Sequence, residues 1–168
     1  MAKFYNDFSF SEKMAKIANR LYHSLFSIDK ITRLSRKDEP HILDKEFHID
    51  VFLDLKSGLR FTLQEKFRRY NALKWDDFTL EKLSNRYDKT LGEYYFLCTD
   101  FYTYAWANRS ETDFERVRIF KVSDVKLAID MGQIYPSKER VNVSHGRATF
   151  LPFPFSDFSD EWFIFKKG

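Results

Sequence analysis

An α+β fold, with an N-terminal helix, one mixed or antiparallel sheet and flanking helices, is what the sequence predicts. Three observations carry it. Apolar residues open the chain at helical spacing, a period of two takes over near Phe47, and only 5 Gly and 4 Pro punctuate the 168 residues. No repeat, low-complexity tract or linker divides the chain, so residues 1–168 read as a single domain.

The elements follow in order. Ser11 is read as the N-cap of a helix in which Met14, Ile17, Ala18, Leu21, Tyr22, Leu25 and Phe26 form one face, continuing to Leu34. Lys37 to Pro40 reads as a loop. From Phe47, the face Phe47, Ile49, Val51, Leu53, Leu55 alternates with His48, Asp50, Phe52, Asp54; after Lys56-Ser57-Gly58 the alternation resumes through Arg68. A third strand of the same meander is predicted over Asp77 to Leu83, with Phe78 and Leu80 inward and Asp77, Thr79 and Glu81 outward. Further strands are expected over 101–106 and Val117–Val122. A short helix capped by Ser123 runs to Asp130, and Val141–Val143 pairs with Ala148–Leu151 across 144–147. The Pro152 and Pro154 tail reads as an edge segment or packed strap.

Composition sets the function classes. Hydrophobic residues at 43% and charged residues at 32% exclude disorder. With 19 Phe, 9 Tyr and 3 Trp, most rings must be buried, so Tyr102, Tyr104 and Trp106 read as core before they read as a base-stacking strip. Cys98 is the only cysteine, which rules out an internal disulfide and a multi-cysteine zinc site and leaves a buried, inert thiol in a reducing compartment. His23, His41, His48 and His145 lack zinc-ligand spacing. No apolar leader or membrane-length run occurs, so a cytoplasmic protein with no membrane partner is expected (the host cytoplasm, were the chain phage-encoded). Net charge is only +3, but Arg60 to Lys74 holds five basic residues against one acid, Glu65, a local excess of +4 suited to phosphate.

The hairpin carries the chemistry. A two-residue turn would set Leu53 against Thr62, mixing faces; a three-residue loop, Lys56-Ser57-Gly58, sets Leu53 against Phe61 and Asp54 against Arg60, with Gly58 in the left-handed position. That register puts Asp50 opposite Gln64, and Lys66 opposite His48, all on one face. Oxygen ligands on neighbouring strands can hold Mg²⁺, and a nearby ammonium can stabilise charge developing on phosphorus. Alternation turns Glu65 toward the apolar side; a bulge would make it the ligand in place of Gln64. Asp77 and Glu81 are further carboxylates within reach of a neighbouring strand.

The segment His48-Ile49-Asp50 together with Phe61-Thr62-Leu63-Gln64-Glu65-Lys66-Phe67-Arg68 resembles the PD-(D/E)xK nuclease superfamily, whose members carry an initial helix, an Asp on one strand and a (D/E)-x-K triplet on the next. It is similar to small phage or mobile-element members. The resemblance covers about the first half of the chain. It implies a restriction-endonuclease-like core, Mg²⁺ or Mn²⁺ as cofactor, and cleavage of DNA or RNA. Asp50 and Gln64 would be metal ligands, Lys66 the catalytic lysine, and Glu12 the nearest candidate for the helix glutamate some members add. The sequence departs from the pattern in Ile49, where the name has proline, and in neutral Gln64, where it has an acid.

Three functions follow as expectations. The first is a metal-dependent nuclease in which Arg68, Arg69 and Lys74 grip phosphates. The second is a catalytically inactive nucleic-acid-binding module of the same fold. The third is a phage-type inhibitor that docks a protein partner through the aromatic stretch Phe150 to Phe165.

Overall fold

The computed structural model describes residues 2–34, 43, 47–141 and 147–168. Helix α1 spans Ala2–Leu25. Strands β1 (Ile28–Arg33), β2 (Val51–Leu55) and β3 (Arg60–Arg68) form an antiparallel meander.

 The last of them, β3, covers Arg60–Arg68 in full. After a short 3-10 turn at Tyr70–Ala72 come β4 (Asp77–Asn85), β5 (Thr90–Leu91) and a one-turn helix α2 (Glu93–Phe96). Strands β6 (Phe101–Ala107) and β7 (Phe114–Lys121), helix α3 (Val122–Asp130), β8 (Arg140–Val141), β9 (Thr149–Pro154) and β10 (Phe163–Lys167) complete the order.

Two sheets result. The larger has six strands in the order β1-β2-β3-β6-β7-β10, all antiparallel except β3 against β6, which run parallel. The smaller has four, β5-β4-β9-β8. The fold is therefore α+β with a mixed sheet. Helix α1 covers one face of the large sheet, where Met14, Ala18 and Tyr22 meet Val51, Leu53, Leu63 and Ile119. The small sheet covers the other face: Phe78 and Phe153, both fully buried, pack with Tyr102, Tyr104 and Phe120, joined by Phe155 and Phe158. Phe78 meets six other aromatic rings, mostly edge to face, which is how rings close-pack without stacking like charge on like.

The hairpin register is the one the hydrophobic pattern selects. Leu53 pairs with Phe61 and Asp54 with Arg60, and Gly58 sits at φ +87°, where a side chain would be strained. Other expectations are corrected. Helix α1 begins well before Ser11, so Ser11 caps nothing, and it ends at Leu25. Residues 28–33 form β1 instead, because Ile28, Ile31 and Thr32 are β-branched and the segment gains a ladder with β2. The second strand starts at Val51, not Phe47: His48 adopts a positive φ of 52°, which interrupts extended backbone. The segment at 77–83 belongs to the small sheet rather than to the meander, and Asp77 and Thr79 are buried beside Phe78, Asp77 paired with Arg140 and Thr79 hydrogen-bonded to the Tyr104 hydroxyl. The N-cap of helix α3 is Lys121, with no side-chain cap, and Ser123 lies in its first turn. Strand β9 lies between β4 and β8, but β8 covers only Thr149 and Phe150, so Pro152 and Pro154 pair with β4 alone and stand on the edge segment expected. The loop at 37–40 and the turn centred on 144–146, with His41 and His145, fall outside the described residues. Among the described residues no helix is long and apolar enough to cross a membrane.

Candidate functional site

Strand β3 is central, and its alternation divides its polar side chains between the two faces. Gln64, Lys66 and Arg68 lie beside Tyr102, Tyr104 and Trp106 of β6 on the face turned to the small sheet. Glu65 points the other way, under α1.

On the α1 face, the Glu65 carboxylate accepts from the Tyr22 hydroxyl at 2.6 Å and from both Arg33 amino groups, Nη1 and Nη2. Arg33 also donates to Asn19 Oδ1 and to the Ala15 carbonyl, and the Tyr22 hydroxyl contacts Thr103. Burial and the Glu65 charge raise Tyr22 well above the ordinary tyrosine value. The oddly placed Glu is thus explained by an ion pair that ties α1 and β1 to β3. No bulge shifts it toward Lys66, since β3 runs in unbroken register with β6 from Leu63 to Arg68.

On the opposite face the polar groups sit between the sheets. Lys66 Nζ donates to the Thr79 carbonyl at 3.0 Å and lies 5.4 Å from the centre of the Phe150 ring. Burial pushes its ammonium below the ordinary lysine value; Glu93 opposes this, Arg68 adds to it, and Glu81 and Asp77 oppose it further. Arg68 reaches Thr79 Oγ1 and lies over the Tyr104 ring, while its Nε is buried without a partner. Glu93, only 5% exposed, accepts from the Tyr102 hydroxyl at 2.8 Å. Burial pushes Glu81 up from the ordinary carboxylate value, with Lys66 opposing and Glu93 reinforcing. Gly92 permits this convergence, because a Cβ there would stand 2.5 Å from the Glu81 carbonyl oxygen. Gln64 is 9% exposed, and its Oε1 is buried with no hydrogen-bond partner.

Asp50 occupies neither face squarely. It precedes β2, donates its N–H to the Leu63 carbonyl, and its Oδ2 accepts the Glu65 backbone N–H at 2.8 Å. A strand N–H points along the sheet, so this carboxylate stands at the margin of the sheet, beside Gln64. Its charge reaches both sides: Tyr102 is raised well above the ordinary value by burial, by Glu93, and in smaller part by Asp50, and Arg33, which burial alone would lower, is raised by Glu65 and in smaller part by Asp50.

The structure brings Gln64, Lys66 and Glu81 into one cluster, with Asp50 at its margin. It separates the others. Asp77 pairs with Arg140 at 2.7 Å and reaches Lys66 only through its charge. Glu12 is exposed on α1, behind the large sheet. His48 lies outside β2, so the register no longer sets it beside Lys66. The basic run is dispersed too: Arg68 turns inward, Arg69 pairs with Glu111 and covers the Phe10 ring, and Lys74 is exposed. Cys98 is exposed, not buried, with its Sγ 3.7 Å from the Phe47 carbonyl. The aromatic tail supplies core through the buried Phe153, Phe155 and Phe158, while Phe150, Trp162, Phe163 and Phe165 are half-buried.

Sequence reasoning missed Glu93, Tyr102 as its donor, and Arg33 and Tyr22 as the partners of Glu65. Gly92-Glu93 ahead of an aromatic run was a readable helix start, with Gly at the cap and an acid in the first turn. Among the described residues, no three His, Cys, Asp or Glu side chains stand close enough together to hold a metal ion.

Fold and site together define an α+β protein whose mixed sheet carries a buried lysine–carboxylate–amide cluster on one face. Compared with known proteins, the chain matches no family model, no curated protein and no solved structure.

Proposed function

We propose that the chain is a metal-dependent nuclease of PD-(D/E)xK type, acting on DNA or RNA through Asp50, Gln64 and Lys66. The observation that carries this reading is the buried Gln64 Oε1 with no donor to satisfy it. An unsatisfied buried acceptor costs about 1–3 kcal/mol, and a cation is one partner that would remove the cost. The donor set fits Mg²⁺ or Mn²⁺ in a particular way. With Asp50 and Gln64 as the only direct ligands, most of the coordination shell would be water and substrate, as suits Mg²⁺, which gives up its waters reluctantly. When bound, such an ion supplies positive charge against the phosphoryl oxygens.

The residues of the chain do the rest. Asp50 Oδ2 and Gln64 Oε1 would hold the ion at the margin of the sheet. Lys66 donates to a phosphate oxygen by exchanging the Thr79 carbonyl for substrate, and its ammonium stabilises the charge that develops there. Burial disfavours the charged ammonium, and Glu93 and Glu81 act against that burial.

Isothermal titration with Mg²⁺ and Mn²⁺ tests the ligand set. Gln64→Glu is expected to tighten binding about tenfold, the worth of an added charge of roughly 1.4 kcal/mol, and Gln64→Met to abolish it. Equal affinity in all three proteins would remove Gln64 from the site.

A second reading, a catalytically inactive nucleic-acid-binding module, is favoured by the absence, among the described residues, of a cluster of three metal-ligating side chains and by the hydrogen bond that occupies Lys66. It leaves salt-sensitive binding without metal dependence or product.

A further inference from the structure

We propose, resting on the nucleic-acid reading above, that the substrate is single-stranded and that Tyr70 and Trp75 stack its unpaired bases. Both rings lie on the connection from β3 to β4, directly after the cluster. From Lys66 to Tyr70 is four residues along extended chain, about 13 Å.

That connection is fixed on its inner side. Ala72 is buried, its carbonyl accepts the Trp106 indole N–H at 3.1 Å, and the Leu73 carbonyl accepts from Arg116 Nη1 at 3.3 Å. On its outer side Tyr70 and Trp75 remain 37% and 45% exposed. In a chain that buries most of its rings, two on an anchored segment form a ready platform, since ordering it costs little on binding.

Charge identifies the occupant. Arg109 lies over the Tyr70 ring, 5.2 Å from its centre, and Lys74 lies over the Trp75 ring at 4.4 Å. Among the described residues neither cation has a carboxylate partner, whereas the nearby Arg69, Arg116 and Arg118 are all paired with Glu111 or Asp76. Each unpaired cation lies against one face of a half-exposed ring, so that ring and cation together offer a partner for a base and for its phosphate. In a duplex the base faces are already stacked on one another and cannot meet these rings. Lys66, recessed between two sheets, is likewise accessible to a single flexible backbone more readily than to a rigid duplex.

The test is fluorescence anisotropy of a labelled oligonucleotide, single-stranded and as the matching duplex, in DNA and RNA, with EDTA present so that nothing is cleaved. The single strand is expected to bind at least about tenfold tighter than the duplex, and Tyr70→Ala and Trp75→Ala each to weaken it about tenfold, with Trp75→Phe restoring most of the loss. Lys74→Ala and Arg109→Ala should each lower the salt slope by about 0.7. Thermal melts check that the variants fold, and the rings are exposed enough to leave the core untouched. Equal affinity for duplex, or wild-type affinity in the doubly substituted Tyr70→Ala, Trp75→Ala protein, overturns the single-strand proposal and leaves the nuclease reading standing. No affinity for any polynucleotide overturns that reading as well.

Discussion

The two faces of β3 bury polar groups under opposite rules. Beneath α1, Glu65 is met by Tyr22 and both amino groups of Arg33, and Arg33 by Asn19 and Ala15 as well. Under the small sheet, Gln64 Oε1 and Arg68 Nε are buried without partners, and Lys66 is held in a setting that disfavours its charge. Residues one step apart on the same strand thus live in a satisfied network and an unsatisfied one. A saturated network holds elements together; an unsaturated one keeps capacity for something that binds.

The largest expected effect breaks the saturated side. Glu65→Ala leaves Arg33 buried without its carboxylate and should cost about 4 kcal/mol in urea unfolding, as for other broken buried pairs; a loss under 1 kcal/mol would mean that the network contributes little.

The other face should respond with the opposite sign. Folding lowers the Lys66 pKa, so the native state disfavours the proton there, and stability rises with pH between the folded value and the unfolded one near 10.4. Lys66→Met keeps the stem and removes the charge, and is expected to raise the neutral-pH unfolding free energy by about 1 kcal/mol. A destabilised variant would show instead that the ammonium holds the sheets together. An effect no larger lies away from both faces: Gly58→Ala at φ +87° should cost about 1 kcal/mol, and an unchanged melting temperature would mean that the loop relaxes at no cost.

What the sequence made legible follows from where the physics is local. The hairpin register was readable because alternation and a left-handed glycine sit within 20 or so residues, and the pairing of Leu53 with Phe61 came out as expected. Residues 28–33 were misread because Leu25, Phe26, Ile28 and Ile31 satisfy a helical period as well as a strand, and only pairing with β2 decides. The small sheet was not foreseen, since joining β4 to β9 spans some seventy residues that carry no shared local signal. In the site, Gln64 and Lys66 were legible from strand alternation. Glu93 was not, because its approach to Tyr102 and Lys66 depends on Gly92 meeting β4.

The most direct test of the unsaturated face as a catalytic site is a cleavage panel: labelled single- and double-stranded DNA and RNA, each with Mg²⁺, Mn²⁺ or EDTA, for the wild type and for Lys66→Ala. The account expects metal-dependent products that fall by about 10³-fold in the variant while its melting curve stays cooperative. Products that persist undiminished in Lys66→Ala, or none from any substrate with either metal, would contradict it.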